Sequence, residues 1–187
     1  MKKGSLILMM FVSAWTFQSC GDSASTTDST EQAKDQNEEN KTVAEDDSKF
    51  VVTAASGGMM EVEAGQMAQQ KGVSQRVKNF GAMMVRDHTQ ANNELKALAA
   101  TKNIAVPTGL SEQHQKHINE LREKSGKEFD AAYMSMMVDD HKEDVSLFES
   151  TSNKGNDADL KAFAAKTLPI LRTHLDSAQA VNDGVKK

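Results

Sequence analysis

Three histidines occupy positions where a helix bundle normally places apolar side chains. They are His88 in MMVRDHTQANNEL, His141 in MSMMVDDHKEDVSLF and His174 in TLPILRTHLDSAQAV, each on a different predicted helix. Glu61 lies on the inward stripe of a fourth predicted helix. Imidazole is the commonest metal ligand among side chains, and its pKa is readily shifted within the range around neutral pH. Their position in a bundle core indicates either a binding site or a buried hydrogen-bond network.

The elements that must position these residues are helices. Helix-forming residues dominate the 187-residue chain, prolines number two, and no alternating run is typical of a strand. Glycines, prolines and capping residues bracket four long helices and one short one. The predicted helices are Ser48–Lys71, one capped by Ser74 and ending near Lys102, a short one over Ser111–Lys124, Lys127–Ser152, and one from Asn156 to near Gly184.

The long connection between the second and third of these helices favours a ferritin-like crossover. It has about 24 residues including the short helix, enough to run the height of the bundle. In that topology the three histidines and Glu61 lie 10 to 14 residues from the same end of the bundle. At 1.5 Å per residue they differ in height by only about 6 Å. The sequence therefore predicts one Glu/His layer, although an up-down-up-down bundle remains open.

Two interpretations of this layer are open. In the first, Glu61, His88, His141 and His174 bind a divalent metal such as zinc, iron or manganese, which accept nitrogen and oxygen donors. In the second, they form a metal-free network, because buried polar groups are costly unless they are paired. The residues expected to support the imidazoles are Asp87, Asp130 and Tyr133, with Asp140 as a further partner in the network.

Two more specific metal centres are disfavoured. The diiron site of ferritins needs Glu-x-x-His on two helices, and the positions three residues before the histidines are Val85, Val138 and Leu171. Copper is less favoured than the other metals. Met84 and Met137 each precede a histidine by one turn, and thioether sulfur with imidazole suits Cu(I), but methionine at helical spacing is usually core filler.

The remaining features indicate no catalytic chemistry. His114 and His117 have the spacing of a metal-binding pair, but they lie on a polar connecting helix beside lysines and are expected to be solvated. The sequence has no nucleophile elbow, glycine-rich phosphate loop, HExxH or CxxC motif. An enzyme is therefore disfavoured. A redox or oxygen-handling activity is the weakest hypothesis, because ligands for a second metal are lacking.

The N-terminal residues 1–19 are predicted to be a lipoprotein signal peptide. Lys2 and Lys3 precede an apolar run from Leu6 to Phe17, which is too short to span a bilayer. The only cysteine of the chain, Cys20, follows in FQSCG, which is similar to the lipobox of bacterial lipoproteins. Cys20 is therefore the expected site of lipidation, with an ordinary secretory signal as the alternative.

The next segment, residues 20–47, is predicted to be a disordered acidic tether. From Gly21 to Asp47 it has nine acidic residues, two lysines and no aromatic residue, so it offers little apolar surface to offset the entropy of ordering. As a flexible coil it would span about 30 Å. The net charge of −5, or −7 without the two signal lysines, disfavours nucleic acid as a partner.

Four motifs resemble the bacterial family known as domain of unknown function 4142, often labelled a predicted outer membrane protein. They are FVVTAASGGMMEVEAGQMA, VKNFGAMMVRDHTQANNEL, GKEFDAAYMSMMVDDHKEDVSLFE and LKAFAAKTLPILRTHL, within about Phe50 to Ala180. The resemblance implies a ferritin-like helical domain in the cell envelope and implies no reaction. The residues on motif positions are Glu61, Asp87, His88, Phe129, Asp130, Tyr133, His141, Pro169 and His174.

The sequence thus predicts an all-α, ferritin-like four-helix bundle over residues 48–187, with a short extra helix in the crossover. A lipid anchor is expected to hold it at the outer membrane, facing the periplasm, where envelope proteins are the expected partners. The leading functional hypothesis is a binding or stress-protective module with a divalent-metal site in the core. The alternative is a structural or interaction protein whose Glu/His layer holds no metal.

Overall fold

A computed structural model describes residues 28–186, and all regular structure in this range is helical. The prediction of an all-α helical bundle is confirmed. The boundaries of the five predicted helices agree with the observed ones to within three residues, and one further helix precedes them. The helices are α1 Ser29–Asn40, α2 Glu45–Lys71, α3 Gln75–Thr101, α4 Glu112–Arg122, α5 Gly126–Lys154 and α6 Ala158–Val185.

The four long helices form two antiparallel hairpins, α2–α3 and α5–α6, joined by a crossover. Asp130, near the start of α5, contacts the α2–α3 turn, and Arg76, near the start of α3, donates to the carbonyl of Ala180 near the end of α6. These termini therefore share one end of the bundle. Because α3 ends at the opposite end, the connection that contains α4 runs back along the bundle. The ferritin-like crossover is confirmed.

Each hairpin turn is capped by a buried aspartate from the other hairpin. Asp130 accepts the backbone N–H groups of Val73 and Ser74, at 3.1 and 2.8 Å. Asp47, near the start of α2, likewise accepts those of Asn156 and Asp157, at 3.0 and 2.8 Å. A carboxylate at a helix N-terminus satisfies donors that have no partner within the helix and interacts favourably with the helix dipole.

These contacts refine two of the predicted caps. Ser74 is the N-cap residue of α3, but its side chain makes no capping hydrogen bond, and Asp130 takes that role. The N-cap of α6 is Asp157, whose carboxylate accepts the N–H groups of Asp159 and Leu160. Asn156 lies two residues before the first residue of the helix, and its backbone N–H donates to Asp47.

The two hairpins repeat with a constant offset in the sequence. α2 and α5 end at Lys71 and Lys154, and α3 and α6 begin at Gln75 and Ala158. Both differences, 154 minus 71 and 158 minus 75, are 83 residues. The two capping aspartates keep the same offset, since 130 minus 47 is 83. The two hairpins therefore share one plan around their turns and capping residues.

The apolar core is divided into two clusters, and the Glu/His layer lies between them along the helices. On α3, His88 comes between Met84 of one cluster and Leu95 of the other. The first cluster includes Met60, Phe80, Met84, Phe129, Tyr133 and Met137. The second includes Phe50, Leu95, Phe148, Leu160, Phe163 and Leu171. Apolar packing above and below thus holds the polar layer in the middle of the bundle.

The prediction of a disordered tether over residues 20–47 was wrong for the part that the structure describes, because Ser29–Asn40 is helix α1 and α2 already begins at Glu45. The side-chain amide of Asn37 donates to the carbonyl of Ala105 at 3.0 Å and accepts its N–H at 2.7 Å. Asp28 caps α1 and also accepts the N–H of Glu112. Polar contacts with the crossover stabilise α1, and an argument from apolar composition does not detect them.

The predicted signal peptide and Cys20 lie outside the described residues. Within residues 28–186, no helix has both the length and the hydropathy needed to cross a membrane.

Candidate metal centre

The three histidines meet in the centre of the bundle. The ring centroids of His88, His141 and His174 are 5.3 to 5.5 Å apart in every pair. A ring nitrogen of each lies within 4.8 Å of a ring nitrogen of each of the others. Their side chains are buried, and Glu61 beside them has an exposed fraction of 0%. The sequence thus placed four residues in one layer correctly, while metal binding by that layer stays a prediction.

Each imidazole has one ring nitrogen in contact with an oxygen. Nδ1 of His88 is 2.6 Å from Oε2 of Glu61, and Nδ1 of His141 is 2.9 Å from the carbonyl oxygen of Met137. Nε2 of His174 is 3.0 Å from Oδ2 of Asp87. Metal-binding histidines usually donate their second ring N–H to a carboxylate or a backbone carbonyl in this way.

The other nitrogen of each ring is buried and has no hydrogen-bond partner among the described residues. These atoms are Nε2 of His88, Nε2 of His141 and Nδ1 of His174. Buried side-chain nitrogens are normally paired. Three unpaired nitrogens on three adjoining rings are therefore the arrangement expected if one bound ion or molecule interacts with all three.

Burial keeps all three rings neutral at pH 7. It lowers the pKa of His141 to about 3, with the neighbouring His88 adding to the effect. It lowers the pKa of His174 to about 4, although the carboxylate of Asp87 opposes the shift. Burial also lowers the pKa of His88. A neutral imidazole offers the lone pair that a metal needs, so the layer is in its ligating form.

Glu61 connects the histidines to two further carboxyl groups on α5. One oxygen of Asp140 lies within 4.8 Å of an oxygen of Glu61, and Asp144 is close enough for its charge to affect the pKa of Glu61. Burial, and then the negative charge of Asp144, raises the pKa of Glu61. Burial, and then Glu61, raises the pKa of Asp140. Burial also raises the pKa of Asp144, to about 7. Histidines and carboxyl groups thus form one continuous polar cluster.

The residues predicted to support the layer have different roles. Asp87 does contact an imidazole, and Arg86 holds its carboxylate through two hydrogen bonds of 2.6 and 2.8 Å. Asp130 does not belong to the layer, because both of its oxygens bind the backbone of the α2–α3 turn. Tyr133 is fully buried, and its hydroxyl has no hydrogen-bond partner among the described residues. Burial raises the pKa of this hydroxyl, and the negative charge of Glu61 raises it further.

Asp144 is the residue that the sequence reasoning missed. The apolar residue that follows His141 on the inward stripe of α5 is Val145, four residues on, whereas Asp144 lies three residues after His141 on a neighbouring part of the same face. The repeat would have identified it, because 144 minus 61 is 83 and Asp144 is the equivalent of Glu61 in the second hairpin.

A cavity of about 70 Å³ opens onto the layer from the side of α3 and α6. His88, His174, Glu61 and Asp144 contribute its polar wall. The apolar wall includes Leu95, Phe148, Phe163 and Leu171. A metal held by the three rings would therefore have a free face for a water molecule or another small ligand.

The histidine pair on α4 is not solvated as expected. His114 and His117 are half-buried, and Nδ1 of His114 is 2.8 Å from the hydroxyl oxygen of Ser56 on α2. They line a second cavity of about 310 Å³ between α4 and α5, together with Asp140 and Glu143. The polar sequence of α4 concealed this packing because only Ile118 and Leu121 mark its buried side.

The fold and the site define a four-helix bundle protein with a histidine and carboxylate layer in its core. The chain matches domain of unknown function 4142 (DUF4142) over residues 32–181 and belongs to this family. No curated protein matches the chain. Its fold is similar to that in the crystal structure of a DUF305 fragment from Deinococcus radiodurans. The TM-score is 0.67 at 9% identity, and the match covers 75% of this chain and 97% of that chain.

Proposed function

We propose that the protein is a lipid-anchored binding or stress-protective module of the cell envelope that holds one divalent transition metal in the bundle core. The observation that carries this proposal is the set of three buried, unpaired nitrogens on His88, His141 and His174. The rings are already neutral and already held at their second nitrogen. Metal binding would therefore require only small ring movements, to bring the nitrogens about 3.3 Å apart around an ion at 2.0–2.1 Å.

The geometry changes the proposed role of Glu61 at this ion. Its Oε2 lies beside Nδ1 of His88 and its Oε1 lies 3.3 Å from Nδ1 of His141. In those positions the carboxylate orients two imidazoles, so the three rings alone bind the ion. Three imidazoles with a free face suit Zn²⁺, and Fe²⁺ or Mn²⁺ also accept nitrogen and oxygen donors. Met84 and Met137 pack in the apolar cluster, which favours these metals over copper.

Elemental analysis of the full-length chain, purified without a histidine tag, tests the metal site. We expect about one equivalent of zinc, iron or manganese, together with a rise in melting temperature when that metal is added. His88→Ala and His141→Ala should abolish both effects. His117→Ala is the matched control, because it removes a half-buried histidine from outside the layer. The proposal would be overturned if the purified protein contained no metal and if its melting temperature did not change when zinc, iron, manganese or copper was added.

The competing function is a structural or interaction role in which the layer is a metal-free network. The contact of His174 with Asp87 and that of His88 with Glu61 are the observations in its favour. It leaves one nitrogen of each ring without a partner. Under this alternative His88→Ala and His141→Ala would destabilise the protein in the presence of a chelator as much as without it.

The envelope location has its own test. Cys20→Ala should release the protein from the membrane fraction into the soluble fraction, because one lipid-bearing cysteine is proposed to anchor it. Ser19→Ala, a neighbouring small-residue change, should leave it in the membrane fraction. An unchanged distribution of the Cys20→Ala protein would contradict the lipid anchor and leave the metal proposal untouched.

A further inference from the structure

The cavity of about 70 Å³ beside the Glu/His layer has one polar wall and one apolar wall. His88 and His174, two of the three proposed ligands of the ion, belong to the polar wall. Each of these rings has one buried nitrogen without a hydrogen-bond partner among the described residues. An ion bound by the three rings would therefore be within reach of a molecule in this cavity.

The apolar wall disfavours water as the molecule that fills the cavity. This wall includes side chains of the second core cluster that cannot form hydrogen bonds, among them Leu95, Phe148 and Phe163. A buried water molecule typically makes about three hydrogen bonds, and replacing a poorly held water molecule with an apolar group is favourable. The cavity therefore suits a ligand whose donor atom faces the layer and whose other atoms are apolar.

The volume of the cavity limits the size of this ligand. One water-sized sphere takes up about 15 Å³ of such a volume. A cavity of about 70 Å³ therefore holds a molecule of about five non-hydrogen atoms. The exposed side chains of Gln90 on α3 and Ile170 on α6 also line the cavity, so a molecule of this size would enter from solvent between these two helices.

The charged groups around the cavity disfavour an anionic ligand. Among the described residues that line it, Lys166 is the only lysine or arginine. Both carboxylate oxygens of Glu94 already accept hydrogen bonds from the ammonium group of Lys166, at 2.7 and 2.8 Å. Glu61 and Asp87 also line the cavity, and like charges placed side by side repel one another. An uncharged ligand avoids this repulsion and needs no free cationic side chain.

We propose that the cavity binds a small uncharged molecule that donates one nitrogen or oxygen lone pair to the ion and packs its apolar part against Phe148 and Phe163. A nitrogen heterocycle of the size of imidazole has these properties. Zinc sites with three protein ligands commonly leave the fourth position to an exchangeable molecule. The inference rests on the proposed function, because the ion supplies the bond to the ligand. It makes the bundle a receptor for a small molecule rather than a store of the metal alone.

Titration of the Co²⁺-loaded protein with imidazole tests this inference. The full-length chain is loaded with Co²⁺, whose visible spectrum changes when a further ligand binds to it. Imidazole is then added at about pH 8, where it is mostly uncharged. We expect a saturable change in the spectrum of the wild-type protein while the Co²⁺ stays bound.

Variants that fill the cavity locate the imidazole. Ala91→Leu and Ala54→Leu each add a larger apolar side chain to the wall, from α3 and α2 respectively. Each should weaken imidazole binding by about tenfold or more, because the added atoms and the ligand compete for one space. Ala100→Leu is the matched control, since it makes the same change at an exposed position of α3. It should keep the wild-type affinity, and the Co²⁺ spectrum without imidazole shows whether each variant is folded and loaded.

Two further probes test the charge and the size of the ligand. Azide, a small anion, should bind more weakly than imidazole, and benzimidazole, which has the same donor atom on a larger ring system, should leave the spectrum unchanged. Tighter binding of azide than of imidazole, or the wild-type affinity for imidazole in the loaded Ala91→Leu and Ala54→Leu proteins, would overturn the inference. A Co²⁺-loaded protein whose spectrum imidazole does not change would also overturn it, whereas a chain that binds no Co²⁺ would overturn the proposed function itself.

Discussion

The α2–α3 hairpin and the α5–α6 hairpin share one plan at their ends and differ at the centre of the bundle. At the ends, Asp47 and Asp130 cap the opposite turn with the same hydrogen bonds. In the middle, Glu61 and Asp144 are equivalent and both are acidic. The equivalents of His88, His141 and His174 are Leu171, Gly58 and Ala91, in that order. The acidic pair is thus repeated, whereas the histidines are not.

The comparison also explains the cavity beside the layer. Gly58, Ala91 and Leu171 all line the cavity of about 70 Å³. Two of them are much smaller than the histidines at the equivalent positions, and the third is apolar. Helix termini must satisfy their backbone donors in any bundle, so the ends of both hairpins remain alike. The centre has no such requirement, so histidines occupy one set of equivalent positions, and two smaller residues and a leucine occupy the other.

The largest effect is expected from breaking the equivalence at the ends. Asp47→Ala and Asp130→Ala should each lower the free energy of unfolding by about 3 kcal/mol, because each removes a buried carboxylate that accepts two backbone N–H groups. Chemical denaturation of both variants measures this. The two losses should agree within about 1 kcal/mol. A large loss in one variant and none in the other would contradict the equivalence of the turns.

A smaller effect is expected where the two hairpins pack differently. A Cβ atom at Gly81 would lie 2.7 Å from the carbonyl oxygen of Gly65 and 2.8 Å from Cβ of Ala68, so α2 and α3 approach closely at this point. Gly81→Ala should therefore cost about 2 kcal/mol. The equivalent of Gly81 in the second hairpin is Ala164, a buried alanine. Ala164→Gly should cost about 1 kcal/mol through helix propensity.

Thermal denaturation of both proteins compares the two crossings. If Gly81→Ala were neutral or stabilising, α2 and α3 could move apart without a loss of stability. That result would contradict the expected difference in packing between the two hairpins.

The acidic pair predicts that the free energy of unfolding of the metal-free protein, measured in the presence of a chelator, depends on pH. Burial raises the pKa of Asp144 to about 7 in the folded protein, above the ordinary value of 3.8. The folded state therefore holds a proton that unfolding releases between pH 4 and 7, so this contribution to stability is lost as pH rises through that window. Asp144→Asn should remove this contribution, so the stability of the variant relative to wild type should rise on going from pH 4 to pH 8.

Urea unfolding at several pH values measures the slope. Glu149→Gln, an exposed change on the same helix, should leave the slope as in the wild type. An Asp144→Asn protein with the wild-type slope would show that Asp144 is ionised in the folded state across this range.

The smallest effect is expected from giving the first hairpin the leucine of the second. His88→Leu should lower the free energy of unfolding of the metal-free protein by about 1 kcal/mol, because the apolar gain offsets only part of the cost of leaving Glu61 without its imidazole partner. The same variant should no longer bind zinc. Calorimetry with and without zinc measures both effects. A loss of several kcal/mol in the metal-free protein would favour the structural network over the metal site.

Most of the fold was predictable because it depends on local signals. Gly72 and Gly155 end the first helix of each hairpin, and the four-and-three spacing of apolar residues identifies the inward faces. The same spacing placed His88, His141 and His174 in one layer. What it did not give is the partner of each ring nitrogen, because that depends on rotations of side chains rather than on their positions in the sequence.

The failures came from contacts between segments far apart in the sequence. The role of Asp130 could not be read locally, because its partners are 56 and 57 residues away. Helix α1 depends on Asn37 and the backbone of Ala105, 68 residues away. Asp144 differs from these, since the 83-residue repeat is present in the sequence and marks it as the counterpart of Glu61.

Helix α1 has a consequence for how the protein would stand on a membrane. With Cys20 as the proposed anchor and Asp28 fixed to the start of α4, only residues 21–27 separate the lipid from the folded part. Even a fully extended segment of this length reaches no more than about 28 Å. The α4 side of the bundle would therefore stay close to the headgroups.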